Sequence, residues 1–380
     1  MSQIDGTTVI PKGSAPVSVI HLIAAARPNF MKVAPLYHQL KGAPWCDVKL
    51  VHTGQHYDVQ MSDAFFRDLG LPPPDFNLGV GSASHARQTA GVMVAYEEVC
   101  EAQRPDWIVV VGDVNSTVAC ALVGAKLWIP IAHLEAGLRS GDRTMPEEIN
   151  RLVTDAIADL LLTPSSDADE NLKREGIPAH RIDCVGNIMI DSFELLRPRI
   201  ARKKACRNFG LKPGNYGVVT LHRPSNVDCP DVLAELIEQL VLVAQKLPLI
   251  FPVHPRTRDR IEEFGFEPML ARAPLLKTLE PLNYAQFMAL VQECSLVITD
   301  SGGIQEETTY LDIPCLTLRD TTERPITIRQ GTNRLVPTAA LLTNVNRVLN
   351  GEWRHGKRPD LWDGQTAARV AESLKRRIKR

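Results

Sequence analysis

Short, mostly apolar runs recur through this chain, and each is followed by a turn and then a helical pattern. In the first half they lie at 17–24, 47–53, 107–111, 129–134 and 160–163, with helical patterns such as 85–101 and 117–127 between them. A strand apolar on both faces must be covered on both faces, and a parallel sheet with crossover helices does this. The pattern therefore predicts an α/β, doubly wound fold. It then repeats. Strands are expected at 216–220, 249–253, 296–299 and 315–318, and helices at 232–245, 284–291 and 304–311. At 380 residues the chain is too long for one ordinary core, so two domains are expected. Residues 197–213, rich in Arg, Lys and Pro, read as a connection between them. Residues 366–380 read as an amphipathic helix, and 1–16 as a disordered polar leader without the apolar core of a secretory signal.

The net charge of −1 gives no global field for nucleic acid or membrane, so any phosphate must be held locally. No apolar run approaches the roughly 20 residues that span a bilayer. The eight cysteines include no Cys-x-x-Cys pair and read as buried free thiols of a reducing, cytoplasmic compartment.

Ligands of such folds bind beyond the strand C-termini, where the chemistry-bearing loops of this chain fall. The run Asp300-Ser301-Gly302-Gly303-Ile304-Gln305-Glu306-Glu307 follows a strand and opens a helix. Its backbone N–H groups and helix dipole suit a phosphate, and the carboxylates of Glu306 and Glu307 one turn on suit ribose hydroxyls; a tight turn with a solvated acidic face has the same sequence. Arg27 and Lys32 follow the first strand, Asp113 ends the strand at 107–111, and Glu135 follows the next. Glu147 stands near a helix start marked by Pro146. Three carboxylates at one sheet edge are expected to raise at least one pKa by mutual repulsion, so that an acid and a base coexist. His222, Arg223, His254 and Arg324 follow strands of the second half. No Gly-x-Gly-x-x-Gly loop, P-loop or helical His-x-x-x-His occurs, so neither a nicotinamide nor a metal is expected. Cations with a helix N-terminus in one half, and carboxylates in the other, suit a nucleotide-diphosphate sugar.

Taken together these pieces resemble the non-hydrolysing UDP-N-acetylglucosamine 2-epimerases. The matching stretches are Arg27-Pro28 with Lys32, Gly54-Gln55-His56, Gly112-Asp113, His133 to Arg139, Pro146-Glu147-Glu148, Gly186-Asn187, His222-Arg223, Pro252-Val253-His254, Ser301 to Glu307 and Arg319 to Pro325, in family order. The resemblance implies a glycosyltransferase-B-like pair of Rossmann-like domains around a cleft. It divides the chain into 17–187 on the sugar side, 188–363 on the UDP side, and a helix at 364–380 crossing back. It implies a homodimer and cofactor-free interconversion of UDP-GlcNAc and UDP-ManNAc through a 2-acetamidoglucal. Carried over by motif, Lys32, Asp113, Glu135, Glu147 and His222 are catalytic. Arg27, Leu282, Phe287, Ser301, Gly302, Gly303, Glu307 and Arg324 bind the substrate. Gln55, Arg87, Arg223 and His254 match a second, allosteric site, although Asp58 stands where some members carry a Gln. A glycosyltransferase of the same fold, a hydrolysing epimerase releasing ManNAc and UDP, and a non-catalytic nucleotide-sugar sensor are the alternatives.

Overall fold

The computed structural model describes residues 17–25, 27–54, 68–203 and 205–378; the side chains of Arg27 and Pro28 also lie outside the described set. The leader, and the expectations placed on Arg27, Gln55, His56 and Asp58, fall there.

The apolar runs form two parallel sheets. The first contains β1 (Ser18–Ala24), β2 (Cys46–His52), β3 (Phe76–Asn77), β4 (Trp107–Val111), β5 (Ile131–Leu134), β6 (Leu160–Thr163) and β7 (Ile182–Cys184), in the order β3-β2-β1-β4-β5-β6-β7. The second contains β8 (Gly217–Thr220), β9 (Leu249–Pro252), β10 (Leu276–Leu279), β11 (Leu296–Thr299), β12 (Cys315–Thr317) and β13 (Asn333–Leu335), in the order β10-β9-β8-β11-β12-β13. All pairs are parallel, for instance Ile108 against Ile131 and Val297 against Cys315. Every residue of β4 is buried, which is why the run is apolar on both faces. In both sheets the strand order reverses beside the first strand, so each has its crevice beyond the C-terminal ends of β1/β4 and β8/β11.

The sequence reading missed β3, β7, β10 and β13. They are short or carry polar residues such as Asp183, Lys277 and Arg334, so no apolar run marks them. The reading of 197–213 as a plain connection is corrected. The helix Ile188–Ala201 continues to Ala201, and Leu196, Ile200, Ala205 and Cys206 are buried in a core shared with Tyr216 and Val218. The basic residues obscured an apolar face at helical spacing. The helix Thr366–Ile378 packs on the helices Arg27–Lys41 and Ile188–Ala201. It is tied there by Asp183, which accepts from Ser373 and, at 2.9 Å, from Arg377. Gly186 (φ 92°) admits the same segment: a Cβ on it would stand 2.2 Å from the Leu361 carbonyl oxygen. All eight cysteines are free, but Cys229 is exposed and Cys184 only partly covered, against the expectation of burial throughout.

Candidate active site

At the C-terminal end of the first sheet, Lys32, one turn into the helix that follows β1, makes an ion pair with Glu135, which follows β5. Gly112 (φ 69°) ends β4 between them; a Cβ there would lie 3.3 Å from Lys32 Nζ and 3.5 Å from Glu135 Oε2. Glu135 itself sits at φ 74°, a conformation that side-chain-bearing residues adopt at a cost and that functional sites tolerate. Asp113 meets a residue the sequence reading passed over. Arg151, on the helix Pro146–Ile157, donates from Nε (3.0 Å) and Nη2 (2.7 Å) to Oδ2 of Asp113. Burial works to raise the Asp113 carboxyl, but the charges of Arg151, Lys32 and Arg324 outweigh it and hold it below its ordinary range.

At the end of the second sheet, Asp300 is fully buried and accepts from the backbone of His222 (2.9 Å) and Arg223 (2.8 Å). It also pairs with His222 Nδ1 at 2.9 Å. A carboxylate only accepts, so Nδ1 carries the proton and Nε2 is the ring atom left for a ligand. His254 stacks 5.4 Å from His222 and caps the helix Pro255–Glu263 by accepting from Arg256 N. Ser301 is the N-cap of the helix Gly302–Leu311, whose first N–H groups have no intrahelical acceptor. Nothing stands within 4 Å of where a Cβ on Gly303 would be, whereas one on Gly302 would meet Glu323 Oε1 at 2.5 Å. The turn thus opens to one side only. Glu307 accepts from Tyr284 OH at 2.6 Å, and burial pushes its carboxyl up to about 7. Phe287, on the helix Tyr284–Val291, and Leu282, just before it, are half-buried against the core beside them.

Arg324 joins the two ends. Its guanidinium reaches Glu323 Oε1 (2.8 Å) and Glu306 Oε1 (2.8 Å) in its own half and Glu135 Oε1 (3.0 Å) in the other, and it is 8% exposed. The expected division, cations opposite carboxylates, is corrected: each half carries both signs, interleaved across the gap. The expected repulsion among Asp113, Glu135 and Glu147 is corrected too, because Asp113 and Glu135 are each bound to cations. Burial raises Glu306 and Glu307 in the other half instead. Glu147, partly exposed one turn before Arg151, has no hydrogen-bond or ion-pair partner among the described residues; its neighbour Glu148 has three. Arg87 is exposed on the helix His85–Ala102, while Arg223, which caps the helix Pro224–Val227, lies 3.9 Å from Glu323. Among the described residues no three His, Cys, Asp or Glu side chains are grouped to hold a metal.

The residues missed were Arg151, Glu148, Asp300 and Glu323, while Glu306, expected with Glu307 to meet ribose hydroxyls, is instead buried on Arg324. A signal existed for the first two: Glu148, Arg151 and Asp155 recur at i, i+3 and i+7 on one helix, and all three are buried.

Two doubly wound parallel sheets that bring together an open helix N-terminus, paired cations and buried carboxylates define an enzyme of the glycosyltransferase-B-like, nucleotide-sugar class. Residues 38–375 match the family model described as UDP-N-acetylglucosamine 2-epimerase, and the chain belongs to that family. It is 39% identical over 363 residues to the UDP-N-acetylglucosamine 2-epimerase of Methanocaldococcus jannaschii, covering 93% of this chain and 98% of that one. It is 37% identical over 357 residues to the UDP-2,3-diacetamido-2,3-dideoxy-D-glucuronate 2-epimerase of Pseudomonas aeruginosa, with coverage of 93% and 98%. The crystal structure of the M. jannaschii UDP-GlcNAc 2-epimerase in complex with UDP-GlcNAc and UDP superposes with a TM-score of 0.84 at 38% identity, covering 94% of this chain and 99% of that one.

Proposed function

We propose that this chain catalyses the reversible C2 epimerisation of UDP-GlcNAc and UDP-ManNAc, by elimination of UDP to a held 2-acetamidoglucal and re-addition. The observation that carries this reading is the junction at Arg324. An open helix N-terminus and His222 stand on one side of it, and Lys32, Glu135 and Asp113 on the other. The C2 proton is not beside a carbonyl, so a carboxylate alone cannot remove it. When the C1–O bond breaks, its electron pair leaves with the UDP oxygen and the charge at C1 acidifies C2–H. A carboxylate takes that proton while the C–H electrons form the C1=C2 bond. Protonation of C2 from the other face, with return of the UDP oxygen to C1, gives the epimer. The Ser301–Gly303 turn, His222 and Arg324 serve the leaving diphosphate. Asp113, Glu135 and Glu147 serve C2 as acid and base. Glu307 suits a ribose hydroxyl, with Phe287 and Leu282 beside the base.

The division at 188 and 364, a homodimer, a cytoplasmic location and a second nucleotide site built on Arg87, Arg223 and His254 are part of the same reading. No helix among the described residues is long and apolar enough to cross a membrane. Sedimentation tests the dimer.

One NMR experiment tests the function. In D2O with UDP-GlcNAc the expected products are UDP-ManNAc and deuterium at C2, at a rate unchanged by dialysis against EDTA. Free ManNAc identifies a hydrolase, turnover only with an added acceptor a glycosyltransferase, and no change a sensor. A parallel tube with the UDP-linked 2,3-diacetamido uronate distinguishes the two sugars named among the relatives.

A further inference from the structure

We propose that Arg151 is a positioning residue of this reaction: a single buried guanidinium ties together the two loops that carry Asp113 and Glu135 and aims one oxygen of Asp113 at the sugar. The inference rests on the epimerase reading. Both Arg151 contacts to Asp113 fall on Oδ2, so Oδ1 has no partner among the described residues, and the Asp113 side chain is 30% exposed. The remaining arm of the guanidinium, Nη1, donates to Glu148 Oε2 at 2.5 Å. Glu148 in turn accepts from the backbone N–H groups of Ser140 and Gly141, each at 3.0 Å. Those residues belong to the loop that begins at Glu135. Asn150, beside Arg151, donates to the Asp113 carbonyl at 2.8 Å. Asp155, one turn further along, holds Gly137 N (3.0 Å), His133 Nδ1 (2.6 Å) and Arg139 (2.7 Å). The buried stripe Glu148-Arg151-Asp155 therefore braces both loops from one rigid helix, which is a more exact support than a loop provides.

The arrangement also assigns a role. An Asp113 pinned through Oδ2 by a guanidinium works as a carboxylate, and its free Oδ1 is the atom placed to take the C2 proton. The other charged groups around the pair are Lys32 on the helix after β1, Glu135 after β5, Glu148 on the helix of Arg151, and Glu323 and Arg324 after β12. With Lys32 and Arg324 engaged by Glu135, Arg151 is the only one of the three cations in direct contact with Asp113.

The test is the pH profile of C2 deuterium exchange from pH 3.5 to 9 in Arg151→Gln and Arg151→Lys, with UDP affinity and melting temperature measured on the same samples. Arg151→Gln is expected to move the acid limb upward by about one pH unit or more and to lower exchange at pH 7 by roughly 10- to 100-fold, with UDP affinity within about 3-fold. Arg151→Lys is expected to recover part of both. In an Asp113→Asn background, adding Arg151→Gln is expected to cost no more than about 3-fold, since the two act as a unit. A profile in Arg151→Gln that overlays the wild type overturns the proposal. So does an equal loss in both backgrounds, which marks a merely structural role. Should Arg151→Gln fail to fold, an unshifted limb in folded Arg151→Lys overturns it equally. Wild-type exchange in Asp113→Asn alone is a different result, which refutes the role given to Asp113 in the proposed function.

Discussion

Replacing Arg324 by Met removes one guanidinium and leaves an apolar chain of similar reach. Three buried carboxylates then lose a partner: Glu135 keeps Lys32, Glu323 keeps Arg319 at 3.0 Å, and Glu306 keeps no ion-pair partner among the described residues. Breaking a buried pair by removing one member costs about 3–5 kcal/mol, because the charge left behind is uncompensated. The Glu323 carboxyl supplies a second route to the same size. Burial would raise it, but Arg324 and Arg319 pull it down from 4.5 to about 2. At about 1.4 kcal/mol per pH unit this is worth about 3 kcal/mol at neutral pH, shared between the two arginines. A loss of about 3–5 kcal/mol at pH 8 is therefore expected in urea titrations. The sign with pH follows from the orphaned acid. Of the three only Glu306 is left without a counter-ion; burial already raises its carboxyl, and without Arg324 its folded pKa stands further above the unfolded one, so the folded variant holds an extra proton and loses stability as pH rises. The deficit should shrink at pH 5.5, by up to about 3 kcal/mol for one additional proton. A deficit below about 1 kcal/mol, or one equal at both pH values, would refute the reading of Arg324 as the counter-ion of this cluster. Calorimetry on Arg324→Ala asks the separate question of UDP, where a weakening of about 1.5–3 kcal/mol is expected.

The isosteric amides Asp113→Asn, Glu135→Gln and Glu147→Gln should keep UDP affinity within a few fold and slow C2 exchange by about 10²–10⁴, the usual contribution of a placed acid or base; normal exchange in Glu135→Gln removes the best-placed of them. Gly303→Ala should leave the melting temperature unchanged or slightly higher, because its Cβ meets no protein atom, yet weaken UDP binding at least about 10-fold by entering the space over the helix N-terminus; undiminished affinity places the diphosphate elsewhere. His21, buried on β1 with Nδ1 3.1 Å from Tyr96 OH, is pushed down to about 4 chiefly by burial, with Asp75 opposing and Lys49 assisting. Its folded pKa lies below the unfolded 6.5, so its contribution is full above pH 6.5 and is lost as pH falls toward 4, by about 1.4 kcal/mol per unit. His21→Gln should flatten that part of the urea stability profile, and an unchanged slope counts against the buried neutral imidazole.

The sequence exposed the central strands and concealed the outer ones. Trp107–Val111 is buried on both faces and reads as a strand from composition alone, whereas β10, at a sheet edge, carries Lys277 and Thr278 toward solvent and loses the pattern. The candidate site was visible as residue types placed after strands: Lys32, Asp113, Glu135, His222, the Ser301–Gly303 turn and Arg324. Their partners were not visible. In sequence Asp300 reads only as the first residue of the turn after a strand, yet it fixes the tautomer of His222. Glu148 enters only as part of the Pro146-Glu147-Glu148 stretch, with no role of its own, yet it is the buried, bonded one of the two glutamates.

Local physics explains what the sequence determined by itself. Apolar runs at βα spacing leave a parallel sheet as the way to bury both faces, and the backbone then delivers each loop to the strand C-termini. Only the tertiary structure decided which charges meet. Arg151 and Asp113 are 38 positions apart, Lys32 and Glu135 are 103, and Arg324 and Glu135 are 189. Coulomb energy and desolvation depend on distance and burial, not on residue type. Asp113 therefore became the well-compensated carboxylate and Glu307 the raised one, because a folded chain put Arg151 beside the first and buried the second beside Tyr284 and the Glu306 charge.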